Sequence, residues 1–164
     1  MDKLYLDNAE FMPHLIRLVN EGHLVTIIAR GNSMRPFIED CRDKLVFGKY
    51  VDAKVGDVIL AEIQPGHYVC HRIEKLEGET VVMRGDGNVP NPAVKNSGIE
   101  VFTRDKIRAK LVRIVRKGKT YDIATSRTWK VYSAIWTRLL PFRRYLLAFY
   151  RLAWLHQIPA RFKR

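Results

Sequence analysis

Turn-forming residues interrupt the chain so often between His23 and Ala124 that only short elements fit between them. Val55-Gly56-Asp57, Gln64-Pro65-Gly66, Glu77-Gly78-Glu79 and Lys117-Gly118-Lys119 each put a glycine where the chain reverses, because glycine enters left-handed backbone without a steric penalty. The stretches between them are rich in Val, Ile, Thr and aromatic residues: His23–Arg30, Lys44–Phe47, Val58–Ala61, Tyr68–Glu74, Thr80–Arg84, Ile107–Arg116 and Thr120–Ala124. β-Branched side chains pack well on a pleated surface, so each stretch reads as a strand. Tyr68–Glu74 and Thr80–Arg84 read as a hairpin, as do Ile107–Arg116 and Thr120–Ala124. Gly85–Gly98, with its Gly, Asn and Pro, reads as a loop. The expected fold is mainly β, a coiled sheet over about residues 22–124 with no internal repeat.

Helical periodicity flanks this region. Asn8–Asn20 reads as a short helix with Asn8 as cap, Glu10 in the first turn and Gly22 beyond the end; Phe11, Leu15, Leu18 and Val19 share a face. Pro13 is compatible only with an early position, which allows a start as late as Met12. After residue 125 the pattern changes. Ser126 is placed to cap a helix in which Trp129, Tyr132, Ile135, Trp136, Leu139 and Leu140 recur at helical spacing. Pro141 breaks that helix, and Phe142, Tyr145, Leu146, Phe149, Tyr150 and Ala153 resume the spacing. We therefore divide the chain into a domain of residues 1–125 and a basic amphipathic helical tail, 126–164.

The charge is as unevenly distributed as the secondary structure. The 164 residues carry a net charge of +12. Residues 1–103 hold 12 Lys+Arg against 15 Asp+Glu, whereas residues 104–164 hold 17 against 2. A surface of that sign favours phosphates, of lipid headgroups or of nucleic acid. Arg138, Arg143, Arg144 and Arg151 interrupt the apolar residues of the tail, so no run approaches the roughly 20 apolar residues that span a bilayer. Aromatic and aliphatic residues on one face and arginines on another suit a helix lying in a membrane interface. Packing on its own domain or on a second subunit is the other reading, with nucleic acid third. Met1-Asp2-Lys3-Leu4-Tyr5 has neither the basic start nor the apolar stretch of a signal peptide. The expected location is cytoplasmic, or peripheral on the cytoplasmic membrane. Cys41 and Cys70 have no metal or redox spacing and read as free, buried thiols. His14, His23, His67, His71 and His156 show no zinc spacing, and no phosphate-binding glycine loop is present, so no metal or cofactor is expected.

Three ordered motifs carry the candidate chemistry. Gly31-Asn32-Ser33-Met34-Arg35-Pro36 presents a serine on a turn, Cys70-His71-Arg72-Ile73 a histidine on a strand, and Arg84-Gly85-Asp86-Gly87-Asn88 an aspartate between glycines. A serine hydroxyl becomes a nucleophile when a base takes its proton, and neutral histidine is available for that near pH 7. Alternation along the strand puts His71 with Val69 and Ile73, opposite Cys70 and Arg72. Asp86 is the candidate to orient the histidine, its other reading being turn chemistry. Gly31 gives the turn freedom, Met34 can pack beneath it, and backbone amides around Asn32 and Ser33 can receive an oxyanion. Asp57, after Gly56, reads as a turn residue.

Together these motifs resemble those of type I signal peptidases, in the branch that uses histidine where most bacterial members use lysine. The same catalytic fold occurs in LexA-like self-cleaving repressors. The resemblance spans roughly residues 24–116. It implies a coiled, barrel-like catalytic fold and a cofactor-free serine endopeptidase acting on a precursor protein or peptide near a membrane, with small side chains before the cleaved bond. Ser33 would be the nucleophile and His71 the base. Members of that family often use a second aspartate a few residues after the Gly-Asp turn, where this chain has Val89-Pro90-Asn91-Pro92. Three arrangements remain open: a triad with Asp86, a Ser33/His71 dyad, or an impaired enzyme. LexA-like members carry lysine at the His71 position and an Ala-Gly or Cys-Gly cleavage bond, which is missing here. The rival classes are a nucleic-acid-binding protein with a vestigial peptidase domain and an adaptor bound through the tail.

Overall fold

The computed structural model describes residues 8–91, 93 and 97–157, with the side chains of residues 8–10 and 154–157 excepted. The Met1–Tyr5 segment, the Asn8 cap and the Glu10 side chain lie outside that description.

The chain is mainly β. Helix α1 (Asn8–Asn20) is followed by β1 (Val25–Ile28), β2 (Asp43–Gly48), β3 (Val58–Gln64), β4 (His67–Glu77), β5 (Thr80–Arg84), β6 (Ile99–Thr103), β7 (Ile107–Arg116) and β8 (Lys119–Asp122). Helices α2 (Arg127–Arg138) and α3 (Arg143–Gln157) follow, joined by a 3-10 turn at Leu140–Phe142. α1 begins at Asn8, not as late as Met12, so Pro13 is its sixth residue and lies inside the helix, beyond the first turn in which a missing N–H goes unnoticed. The strands form one antiparallel sheet in the order β1-β2-β7-β3-β4-β5-β6, with β8 paired to β7. β6 is an addition to the strands read from the sequence, whose loop ends at Gly98; Ile99–Thr103 completes the sheet beyond β5.

The sheet buries both faces around β3. Val58 and Leu60 join Leu15, Val19, Met34, Phe47, Leu111 and Ile114 in one cluster, under α1 and the loop after β1. Ile59 and Ala61 point the other way, into a smaller cluster with Ile73, Val81, Met83 and Ile107. Such two-sided burial accounts for the unbroken apolar run Val58–Ala61, which a half-exposed strand would interrupt.

Ser126 caps α2 as its sequence position predicts, accepting from Trp129 N–H at 3.2 Å. Both tail helices pack on the β domain. Trp129, Tyr132 and Trp136 meet the Phe37 ring edge-on at 5.6–6.3 Å between centroids. Ser133, Arg143 and Leu147 are buried beneath the helices, and the Tyr150 hydroxyl hydrogen-bonds the buried Glu39. Among the described residues, no helix is long and apolar enough to cross a membrane. The cysteines are both free, but Cys41 is exposed, contrary to the expectation of two buried thiols. It occupies a left-handed position (φ +55°) just before β2, outside the core. Cys70 is partly buried, and loss of solvation pushes its thiol up to about 12.

Candidate active site

Strand pairing decides which side chains meet. His71 lies opposite Ile59 of β3; two residues on, Ile73 lies opposite Met83 of β5, and Met83 opposite Glu100 of β6. Directly paired residues share a face, and so do residues two apart on one strand. His71 and Glu100 therefore occupy the same side of the sheet. His71 Nδ1 is 2.8 Å from Glu100 Oε2, with the histidine 4% exposed. A carboxylate at that distance holds the proton on Nδ1 and leaves Nε2 as the basic atom.

The Ser33 loop reaches this histidine over a glycine. A Cβ on Gly85 would lie 3.0 Å from His71 Nε2 and 2.4 Å from the Ser33 carbonyl oxygen. A Cβ on Gly87 would lie 2.7 Å from the Asn32 carbonyl oxygen. Only bare backbone fits between the serine loop and the turn after β5. The two are joined there by the Gly87 N–H, which donates to the Ser33 carbonyl at 2.7 Å. Among the described residues, no hydrogen bond joins Ser33 Oγ to His71. Contacts of this kind often tighten only when substrate is bound.

Packing beneath the loop fixes its course. Ala29 before the serine turn and Met34 and Ile38 after it are buried in the larger core cluster, so the loop is anchored on both sides. Gly31 takes φ +90°, and its N–H donates to Asp40 Oδ1 at 3.0 Å. Arg35 N–H donates to the Asn32 carbonyl at 3.2 Å. The amides of Ser33 and Met34 have no acceptor among the described residues. Ser33 itself is half-buried, and Asn32 is exposed.

Asp86 stands apart from His71. Its Oδ1 and Oδ2 accept from Arg72 Nε and Nη2 at 2.9 and 2.8 Å, with both residues almost wholly buried. The expectation that Asp86 orients His71 is corrected accordingly: the carboxylate on the imidazole belongs to Glu100. Arg72 lies opposite Arg84, whose face Asp86 shares two residues further on, so alternation directs Asp86 to arginine and not to histidine. The remaining Arg72 donor, Nη1, reaches the Gly56 carbonyl and Ser133 Oγ, each at 2.8 Å. The guanidinium also lies over the Phe37 and Trp129 rings. Through Trp136 Nε1, which donates to the Asp86 carbonyl at 3.1 Å, α2 is fastened to the same turn. Asp57 has the turn role expected of it, accepting from Lys54 N–H and Lys110 Nζ at 2.8 and 2.7 Å.

Glu100 was the residue missed, because its strand was missed. The signal was present: Ile99, Val101, Phe102 and Thr103, all strand formers, follow Gly98 within five residues. Among the described residues, no group of three or more His, Cys, Asp or Glu is arranged to hold a metal ion. No protein-family pattern matches the chain, and no curated protein matches it.

Proposed function

We propose that the chain is a serine endopeptidase of the signal peptidase-like type, with Ser33 as nucleophile, His71 as general base and Glu100 as the group orienting His71. The observation that carries this reading is the His71 Nδ1–Glu100 contact at 2.8 Å, with Nε2 beside the glycine that the Ser33 loop covers. The motifs around Ser33, His71 and Gly85 support it, and so does a mainly β antiparallel sheet, which suits the finer reading of a coiled, barrel-like signal peptidase/LexA-like fold.

In this mechanism His71 Nε2 takes the Ser33 hydroxyl proton as Oγ attacks the carbonyl carbon of the substrate. The Ser33 and Met34 amides donate to the oxyanion that forms. Collapse of the tetrahedral intermediate breaks the C–N bond, and His71 returns the proton to the leaving amine. Water then attacks the acyl-enzyme with His71 again as base, releasing the carboxylate product. The Glu100 carboxylate stabilises the imidazolium that forms in each half-reaction. The substrate class we propose is a precursor protein or peptide with small side chains before the cleaved bond.

A comparison of native protein N-termini tests this, between cells carrying the wild type and cells carrying Ser33→Ala or His71→Ala. We expect a small, shared set of mature N-termini to vanish in both variants while longer precursors accumulate. Indistinguishable sets of N-termini would overturn the reading.

A further inference from the structure

Helix α3 has three stripes, and their order is inverted relative to a helix that faces water. The stripe turned toward the domain comprises Arg143, Leu147 and Tyr150, of which Arg143 is 1% exposed and Leu147 3%. The stripe turned outward comprises Tyr145, Leu146, Phe149 and Leu152, continued by Phe142 of the preceding turn; Tyr145 is 67% exposed and Phe149 73%. The third stripe carries the exposed Arg144 and Arg151 around Ala148. A charged residue is buried while the large apolar side chains stand in solvent, so the domain's own packing does not account for the outer face. On α2, Val131 and Ile135, one turn apart, are exposed as well.

The charge around this face identifies what covers it. Residues 126–157 contain no Asp or Glu, and Arg127, Lys130, Arg138, Arg144 and Arg151 are exposed. A second copy of the chain would set cations against cations across a self-complementary interface. Nucleic acid would meet the arginines but leave the central apolar stripe against a polar backbone. An anionic bilayer answers both features, since headgroup phosphates receive the arginines and the acyl boundary receives the apolar ridge. Arg144 already lies over the Tyr145 ring at 5.9 Å, a cation beside an aromatic of the kind that occupies a headgroup layer.

We propose that the outer face of α2 and α3 is a docking surface for anionic lipid membranes, held rigidly to the β domain by its inner face. The clamp is continuous with the serine loop and the turn after β5: Phe37 packs among Trp129, Tyr132 and Trp136, Tyr150 bonds Glu39, and Trp136 bonds the Asp86 carbonyl. Docking thus sets the Ser33–His71 cleft at a fixed height and angle over the lipid. The docking claim is read without any cleavage, so it stands or falls separately from the peptidase reading.

Flotation of the purified full-length chain with vesicles tests it, using phosphatidylcholine alone and phosphatidylcholine mixed with phosphatidylglycerol. The wild type is expected to float with the mixed vesicles and not with the neutral ones. Phe149→Asp is expected to abolish flotation. Arg144→Gln and Arg151→Gln are each expected to weaken binding roughly fivefold, the effect of losing one surface cation. All three positions are exposed, so the thermal unfolding midpoint should match wild type. Failure to float with anionic vesicles, flotation untouched by Phe149→Asp, or a dimer dissolved by Phe149→Asp without any lipid binding would each overturn the proposal.

Discussion

Asp86 and Glu100 are both carboxylates close to β4, and side-chain alternation assigns them opposite partners. Asp86 neutralises Arg72 in a pocket that excludes water, where every guanidinium nitrogen is occupied. Buried pairs of this kind add little net stability over an apolar replacement, but removing one member leaves the other uncompensated. Asp86→Asn should therefore cost about 3–5 kcal/mol in urea unfolding. Per folded molecule, its cleavage rate should fall far less than that of Ser33→Ala. The sequence held half of this arrangement. Ser33, His71 and the glycine-bracketed turn were legible because each motif is local. The carboxylate that meets His71 was not, because its identity depends on register across three strands. Once β6 is recognised as a strand, the pairings Ile73–Met83–Glu100 bring Glu100 to the histidine face without reference to any motif.

Between elements, the decisive contact is the serine loop lying on the turn that follows β5. Gly85 and Gly87 permit it, for neither position has room for a Cβ. The obstacle at Gly85 is the Ser33 backbone carbonyl at 2.4 Å, which cannot rotate away as a flexible side chain can. Gly85→Ala should push the loop off His71, abolishing precursor cleavage and costing about 1–3 kcal/mol by overpacking. Wild-type cleavage by a folded Gly85→Ala protein would show that the close approach is dispensable. Most strands were legible from turn chemistry and β-branched composition; their ends differ by up to three residues, β3 and β4 running on where they pair with neighbours and β1 being shorter. β6 escaped because it follows a long stretch rich in Gly, Asn and Pro and shares its polar residues with the turn on either side. The tail helices were legible from periodicity, but their docking was not: a three-stripe helix looks merely amphipathic until one stripe is known to face the domain.

Across the whole molecule, one end of the β2–β7 ladder is tied to the loop before β2 by one carboxylate. Asp43, fully buried, accepts from Arg42, from Arg116 on β7 and from the Glu39 N–H. Burial alone would raise its pKa, but the hydrogen bonds from Arg42 and Arg116 outweigh that and bring it down to about 2, from 3.8. A depressed carboxylate stabilises the fold fully above its unfolded value and loses that contribution as the pH falls through its folded value. The expected course is roughly 2 kcal/mol of stability at neutral pH, lost progressively from about pH 4 to pH 2. Urea unfolding of wild type and Asp43→Asn over that range checks this, since the two curves should converge at the acid end. Constant separation down to pH 2 would exclude it.

The most direct test of the account is the cleavage rate of a purified precursor, one recovered from the comparison of N-termini, by wild type and Glu100→Gln. Glutamine keeps the shape at His71 but removes the charge that stabilises the imidazolium. The account predicts a fall in kcat of roughly 10²–10⁴-fold, by analogy with removing the orienting carboxylate of a serine protease triad. The unfolding midpoint should be close to wild type, because Glu100 lies at the edge of the buried region. Cleavage by Glu100→Gln at the wild-type rate would contradict the assignment of Glu100 to the site.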